Sequence, residues 1–245
     1  MGPLLFILYI NDIPRIAAEF DVCSHGYADD AQLYMPFDPF FNYTAVSTKL
    51  KNCIFKIEQW MNKNYLKLNV DKTEVMFIGK KRDHDIHQLQ ISFDDEDEYE
   101  SSSSDSVKFL GTHIDATLSM KKMISECVRS CNFSLKKLKT IKYILGIKDK
   151  LLLLKSFVLS KLDYCNILLC NQSTNQLQPL QIVLNQGIRF VYSLSKRDSI
   201  TASLKSAHIL PVCYCVMYKS CIMVFRILDG SAPSYLNDTA EIRPP

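Results

Sequence analysis

Glycine is scarce, with seven in 245 residues. So few permissive backbone positions exclude a chain built from tight β-turns and favour helix. No apolar run is long and clean enough to span a bilayer. The most apolar stretch, LLLLKSFVLSKLDYCNILLC, is broken by Lys155, Lys161 and Asp163. The N-terminus, MGPLLFILYIND, has no basic n-region and does not read as a signal peptide. Phe6 stands where a myristoylation pattern needs Ser or Thr. The nine cysteines form no CxxC pair and no framework, and several, such as Cys53, Cys165 and Cys170, sit among apolar residues. They read as reduced thiols of an intracellular protein, nuclear or cytoplasmic and not secreted. His208, Cys213, Cys215 and Cys221 carry the only hint of metal spacing, and zinc is not expected.

Positive charge is missing from residues 89–107, which hold seven acids and neither Lys nor Arg. Without those acids the formal net charge of the chain rises from +3 to +10. A body that basic suits a polyanionic partner, although a solvated lysine surface has the same composition. With 47% hydrophobic residues, the chain can build a sizeable core in one large domain or two smaller ones.

Periodicity then places the elements. Pro3 opens a helix that LLFILYI continues, apolar all round and so expected to be buried, with Pro14 ending it. DVCSHGYADDAQLYMPF reads as two short strands around Asp29 and Asp30. Val46, Leu50, Ile54, Ile57 and Met61 make one face of a helix over 44–62. YLKLNVDKTEVMFIG reads as two strands around a polar turn, Asn69 to Thr73. Residues 80–106, with DDEDEYESSSSDS, read as an exposed, mobile insertion, and VKFLGTHID returns to strand. Helical patterns fill the rest, at 120–143, 148–170, 179–194 and 211–229. In the first, Met120, Ile124, Cys127, Cys131, Leu135 and Leu138 form a seam, with Lys121, Lys122, Arg129, Lys136, Lys137 and Lys139 largely off it. The class is α+β followed by an all-helical region.

Adjacent aspartates in mid-strand would point to opposite faces, one of them toward a core. At a hairpin tip both can approach one concave site. A turn that merely contains two Asp is one reading of YADD, because Asp is common in turns. The other is a Mg²⁺ site, since Mg²⁺ takes carboxylate and phosphate oxygens and two such ions can clamp a phosphoryl transfer.

The order GPLLFILYINDIP, YADD, LKLNVDKTEVMFIG, VKFLGTHID resembles the reverse transcriptases of non-LTR (LINE-type, jockey-like) retrotransposons. LLKSFVLSKLDYCNILL, LQIVLNQGIRFV and ILPVCYCVMYKSCIMVFRILDGSAPSYL are similar to the thumb and post-thumb region of such elements. The resemblance implies a partial polymerase palm over 1–118 (with the acidic insertion at about 80–106), a thumb-like region over 119–205 and a post-thumb segment over 206–245. It implies RNA-templated DNA synthesis with Mg²⁺ or Mn²⁺, on an RNA template, a DNA primer and deoxynucleotide triphosphates. Asp29 would ligate the catalytic metals and Asp30 complete the site at its edge. Tyr27 would lie near the primer terminus, and Lys72 would neutralise or protonate the leaving pyrophosphate. Phe109, Leu110 and Gly111 would grip the primer backbone, and Lys136, Lys137 and Lys139 would face duplex phosphates.

The family's fingers, and its upstream palm strand with a further metal-binding aspartate, have no counterpart in this sequence. The expectation is therefore a chain inactive alone, because one carboxylate pair does not hold two metal ions. A partial palm also leaves an exposed sheet edge open to self-association. A non-enzymatic nucleic-acid-binding or protein-interaction role is the alternative.

Overall fold

The computed structural model describes residues 2–38, 43–79, 91–92, 100–101 and 104–239. The chain divides into two compact units, Met1–Asp105 and Ser106–Pro245.

In the first unit α1 (Gly2–Tyr9) and α2 (Ile13–Ala18) precede an antiparallel hairpin of β1 (Cys23–Tyr27) and β2 (Asp30–Tyr34), followed by α3 (Tyr43–Lys63). Its core is Ile13, Ile16, Ala17, Val22, Cys53 and Ile57, with Leu33, Met35, Leu50, Trp60 and Met61 packed against it. Buried Cys53 and Ile57, four apart, share the inner face of α3.

Three expectations are corrected. Helix α1 is not buried: Leu4, Leu5, Ile7 and Leu8 are exposed, Leu8 to 72%. An all-apolar helix is buried only where something covers it, and the core of this unit reaches no further toward α1 than Ile10. Tyr9, itself exposed, sets its ring beside Trp60 at 6.4 Å and donates its hydroxyl to the Asn64 carbonyl. Pro14 does not end α1 but sits in the first turn of α2, where a missing N–H costs nothing. The LKLNVDKTE segment holds a single 3₁₀ turn, Val70–Lys72, between stretches that join no strand ladder. Extended chain becomes strand only with a partner, and among the described residues Val75 gains one backbone bond there, from Ser104 N–H.

Within the acidic insertion β3 (Ile91–Ser92) pairs with β4 (Glu100–Ser101). This short ladder departs from the expectation of an unstructured segment. Residues 80–90, 93–99 and 102–103, which carry most of that expectation, lie outside the described residues.

The second unit opens with the hairpin of β5 (Ser106–Phe109) and β6 (Thr112–Asp115) and continues as helices. These are α4 (Lys121–Thr140), α5 (Ile147–Leu154), α6 (Ser160–Asp163), α7 (Thr174–Tyr192), α8 (Thr201–Ser206) and α9 (Val212–Leu228). One π turn, Lys155–Leu159, carries α5 into α6 without a break. The seam of α4 faces the core through Met120, Ile124, Cys131, Leu135 and Leu138. Helix α7 is the axis of the unit and buries Leu177, Leu180, Val183, Leu184, Ile188 and Val191. It starts five residues before the expected Pro179, because Ser173 and Gln176 form a capping box at its end. Gly187 of α7 lets Leu154 of α5 approach so closely that a Cβ there would lie 2.5 Å from the Leu154 Cδ1. Lys161, expected only to interrupt an apolar run, ties α6 to α4 by donating to Ser130 O, Ser130 Oγ and Ser134 Oγ at 3.2, 2.8 and 2.9 Å. Among the described residues no helix is long and apolar enough to cross a membrane.

Candidate nucleotidyl-transfer hairpin and nucleic-acid interface

The β1–β2 ladder closes at the Tyr27–Asp30 pair, which leaves Ala28 and Asp29 as a two-residue loop. Two-residue hairpin loops need left-handed backbone at their first central position, and Ala28 adopts it at φ +53°. An alanine there carries a Cβ penalty of about 1–2 kcal/mol, so the ladder and not the loop residue imposes this geometry. Asp29 therefore stands in the loop and Asp30 begins β2. Both are exposed, as is Tyr27 at 62%. Neither carboxylate has an ion-pair or hydrogen-bond partner among the described residues. Lys72 is exposed on its own 3₁₀ turn and is bonded to neither.

Adjacent carboxylates are the right donors for Mg²⁺ or Mn²⁺, which prefer oxygen. Among the described residues, however, no three His, Cys, Asp or Glu side chains gather where they could hold a metal ion. Among the described residues the pair is therefore a partial ligand set. His208, Cys213, Cys215 and Cys221 do not converge either. Cys215 donates to Asp163 Oδ1 at 3.2 Å, and Cys221 lies exposed.

In the second unit the Phe109-Leu110-Gly111 stretch forms the tip of the β5–β6 hairpin. Leu110 (φ +44°) and Gly111 (φ +81°) are both left-handed, the signature of a type I′ turn. Phe109 and Leu110 are half-buried and Gly111 is exposed. Tyr164, just past α6, seats this tip. Its hydroxyl donates to Leu110 O at 2.5 Å, and its ring lies 3.6 Å from where a Gly111 Cβ would project. Sequence reasoning missed Tyr164, because a lone tyrosine 54 residues away carries no periodic signal.

Asp115 was missed as well. It ends β6 and collects the N–H groups of Thr117 and Ser119 at 3.2 and 2.8 Å and their hydroxyls at 2.8 and 3.2 Å, fixing the turn into α4. The DxTxS spacing is an Asx-type signature that could have revealed it. Burial raises the Asp115 carboxyl. The hydrogen bonds from Ser119 N–H, Thr117 Oγ1, Ser119 Oγ and Met120 N–H outweigh it and hold the group below the usual 3.8. A lowered folded value means that the stabilisation is complete above pH 3.8 and is lost as pH falls through the folded value. Asp115→Asn should therefore flatten the acid limb of the thermal-stability profile of the helical unit below pH 3.8 relative to the wild type. Parallel acid limbs for the two proteins would refute this.

On α4, Lys121, Lys122, Arg129, Lys136, Lys137 and Lys139 are all exposed, away from the buried seam. Arg129 pairs with Glu126 at 2.6 Å, Lys122 donates to Ser106 Oγ at 2.7 Å, and Lys137 lies over the Phe133 ring at 4.4 Å. Lys136 and Lys139 make no hydrogen bond or ion pair among the described residues. The arrangement can supply a row of cations to phosphates.

Residues 1–114 match the family described as reverse transcriptase (RNA-dependent DNA polymerase). The match runs from α1 through both hairpins and stops within β6. No curated protein and no solved structure matches the chain.

Proposed function

We propose that this chain is a fragment of a non-LTR, LINE-type retrotransposon reverse transcriptase. In this reading residues 1–118 contribute part of the palm, 119–205 the thumb-like region and 206–245 the post-thumb segment. The observation that supports the polymerase reading is the reverse transcriptase match over residues 1–114, which contains YADD at a two-residue hairpin tip and FLG at a second one; the LINE-type assignment and the regions beyond residue 114 rest on the motif resemblance alone. The family reaction joins a deoxynucleotide triphosphate to a DNA primer on an RNA template. Asp29 and Asp30 would supply oxygen ligands to its divalent metal ions, and Tyr27 would lie toward the primer terminus. Lys72, exposed on its turn, is free to meet a departing pyrophosphate. Phe109, Leu110 and Gly111 form the tip turned to the primer, held by Tyr164. The 245-residue chain alone is inactive in this reading, because the pair lacks a third carboxylate among the described residues.

The exposed row on α4 gives the direct test. The chain should bind an RNA–DNA hybrid without sequence preference, its affinity falling by roughly 0.9 log units per log unit of salt for each phosphate neutralised. Replacing Lys136, Lys137 and Lys139 by Ala should reduce that slope by about 2–3 in the same plot. Binding that ignores salt, or a slope the triple variant leaves unchanged, would count against a nucleic-acid interface on α4.

A further inference from the structure

Helix α9, VCYCVMYKSCIMVFRIL, is apolar around nearly its whole circumference, yet among the described residues only one side of it is covered. Val212 and Val216 are buried in the helical unit, and Lys219 beside them pairs with Asp163 at 2.8 Å. The opposite side carries Tyr214, Met217, Tyr218, Cys221, Val224, Phe225 and Leu228. All are exposed, the three aromatics by 58%, 58% and 66%. At about 100° per residue these seven form one strip roughly 120° wide and about 21 Å long. No charge interrupts it; Lys219 and Arg226 project from the far half of the helix.

We propose that this strip is a self-association surface, on which a second copy of the chain packs its own α9. Two observations favour a second copy over a foreign partner. The first is symmetry. Cys221 is the centre of the strip along the helix, seven residues from both Tyr214 and Leu228, and also its centre around the helix on a regular projection. Antiparallel packing about a two-fold axis at Cys221 keeps each flank of the strip on its own side and sets Tyr218 against Phe225 and Met217 against Val224, with Tyr214 and Leu228 meeting near the midline. Every contact is reciprocal, aromatic on aromatic along one flank and Met on Val along the other, as a self-complementary isologous interface requires. The second is area. Large aromatic side chains bury roughly 150–250 Å² each. At the exposures given, the seven residues offer roughly 600–700 Å² per copy, most of the ~800 Å² per partner of a standard interface. A contiguous apolar patch of that size exceeds what a monomer ordinarily leaves uncovered. This surface is separate from the palm edge considered above and does not depend on the polymerase reading.

The test is sedimentation of the full chain, freed of nucleic acid, over a micromolar concentration series. A monomer–dimer equilibrium is expected. Phe225→Glu and Tyr218→Glu, each adding two charges across the two-fold axis, should raise the dimer dissociation constant at least tenfold. Both positions are exposed, so circular dichroism should be unchanged. Helix axes about 8–10 Å apart bring the facing Cα atoms of the pivot near the ~4.4–6.8 Å that a disulfide spans. Diamide should then join two Cys221 thiols, taking two electrons and two protons to become the hydrazine. The covalent dimer should vanish with Cys221→Ser and persist with the exposed Cys23 and Cys170 both replaced by Ser. Cys221→Ser should still sediment as a dimer. A monomer at every concentration overturns the proposal. So does association that survives Phe225→Glu, or a cross-link that does not need Cys221.

Discussion

Gly187→Ala is expected to lower the stability of the helical unit by about 1–2 kcal/mol, although alanine is the better helix former by about 1 kcal/mol. The two effects oppose, and geometry decides between them. A Cβ at position 187 would stand 2.5 Å from Leu154 Cδ1 and 3.4 Å from Cδ2. Leu154 is wholly buried, so its isobutyl group has no free space to swing into. Overpacking of this kind costs about 1–3 kcal/mol, and a contact so far inside van der Waals range belongs near the top of that span. Leu154→Ala alone should cost about 2–5 kcal/mol, the transfer loss plus the cavity left behind. In the Leu154→Ala background the obstacle is gone, so Gly187→Ala should change sign and stabilise by up to about 1 kcal/mol. Urea unfolding followed by far-UV circular dichroism reads these shifts. Trp60, the chain's single tryptophan, reports on the first unit and should not move. A midpoint for Gly187→Ala at or above the wild type would refute the packing argument.

That contact also shows what the sequence could and could not disclose. The spacing from Met120 to Leu138 exposed a seam on α4, and the same period marked α3, because periodicity records which residues share a face. It does not record whether a partner exists for that face. Hence α1, expected to be buried for its apolar composition, is exposed, and among the described residues α9 is covered on one side only. Nor does alternation establish a strand: YLKLNVDKTEVMFIG alternates at its ends, yet among the described residues it joins no ladder and its one backbone bond to a distant segment is the one Val75 O accepts from Ser104 N–H. The YADD pair stood out as a site candidate only through the order of its flanking motifs, since a turn alone also favours Asp. Tyr164 and Asp115 were not legible, since their worth lies in a carbonyl 54 residues away and in a turn that must first be folded. Nothing in the spacing around Gly187 pointed to Leu154, because the approach is between two helices.

For the YADD pair, the largest effect is expected when a further carboxylate is supplied. The chain alone should extend no primer on an RNA template with Mg²⁺, because Asp29 and Asp30 stand exposed with no third ligand among the described residues. Joining a fingers-and-palm half from a related element ahead of Gly2 should restore extension. Asp29→Asn should then remove it by on the order of a thousandfold, the upper range for deleting one charge-stabilising group from an active site. The substitution keeps the size of the side chain and replaces an anionic oxygen by a neutral amide, so it removes charge without removing volume. It cannot act through the fold. Asp29 lies in an exposed loop without ion-pair or hydrogen-bond partners, where substitutions stay within about 0.5 kcal/mol, and melting curves of the two proteins should overlay. Asp30→Asn should cost less, nearer the ~100-fold low end for removing one such group. Asp30 is committed to the ladder opposite Tyr27, whereas Asp29 occupies the loop that projects beyond it. Chelation of the divalent ion should reduce both variants and the parent to the same background. The reading is overturned if the unsupplemented chain extends a primer and Asp29→Asn abolishes that activity. It is equally overturned if the joined protein extends a primer and tolerates Asp29→Asn, for then the paired carboxylates are only a turn.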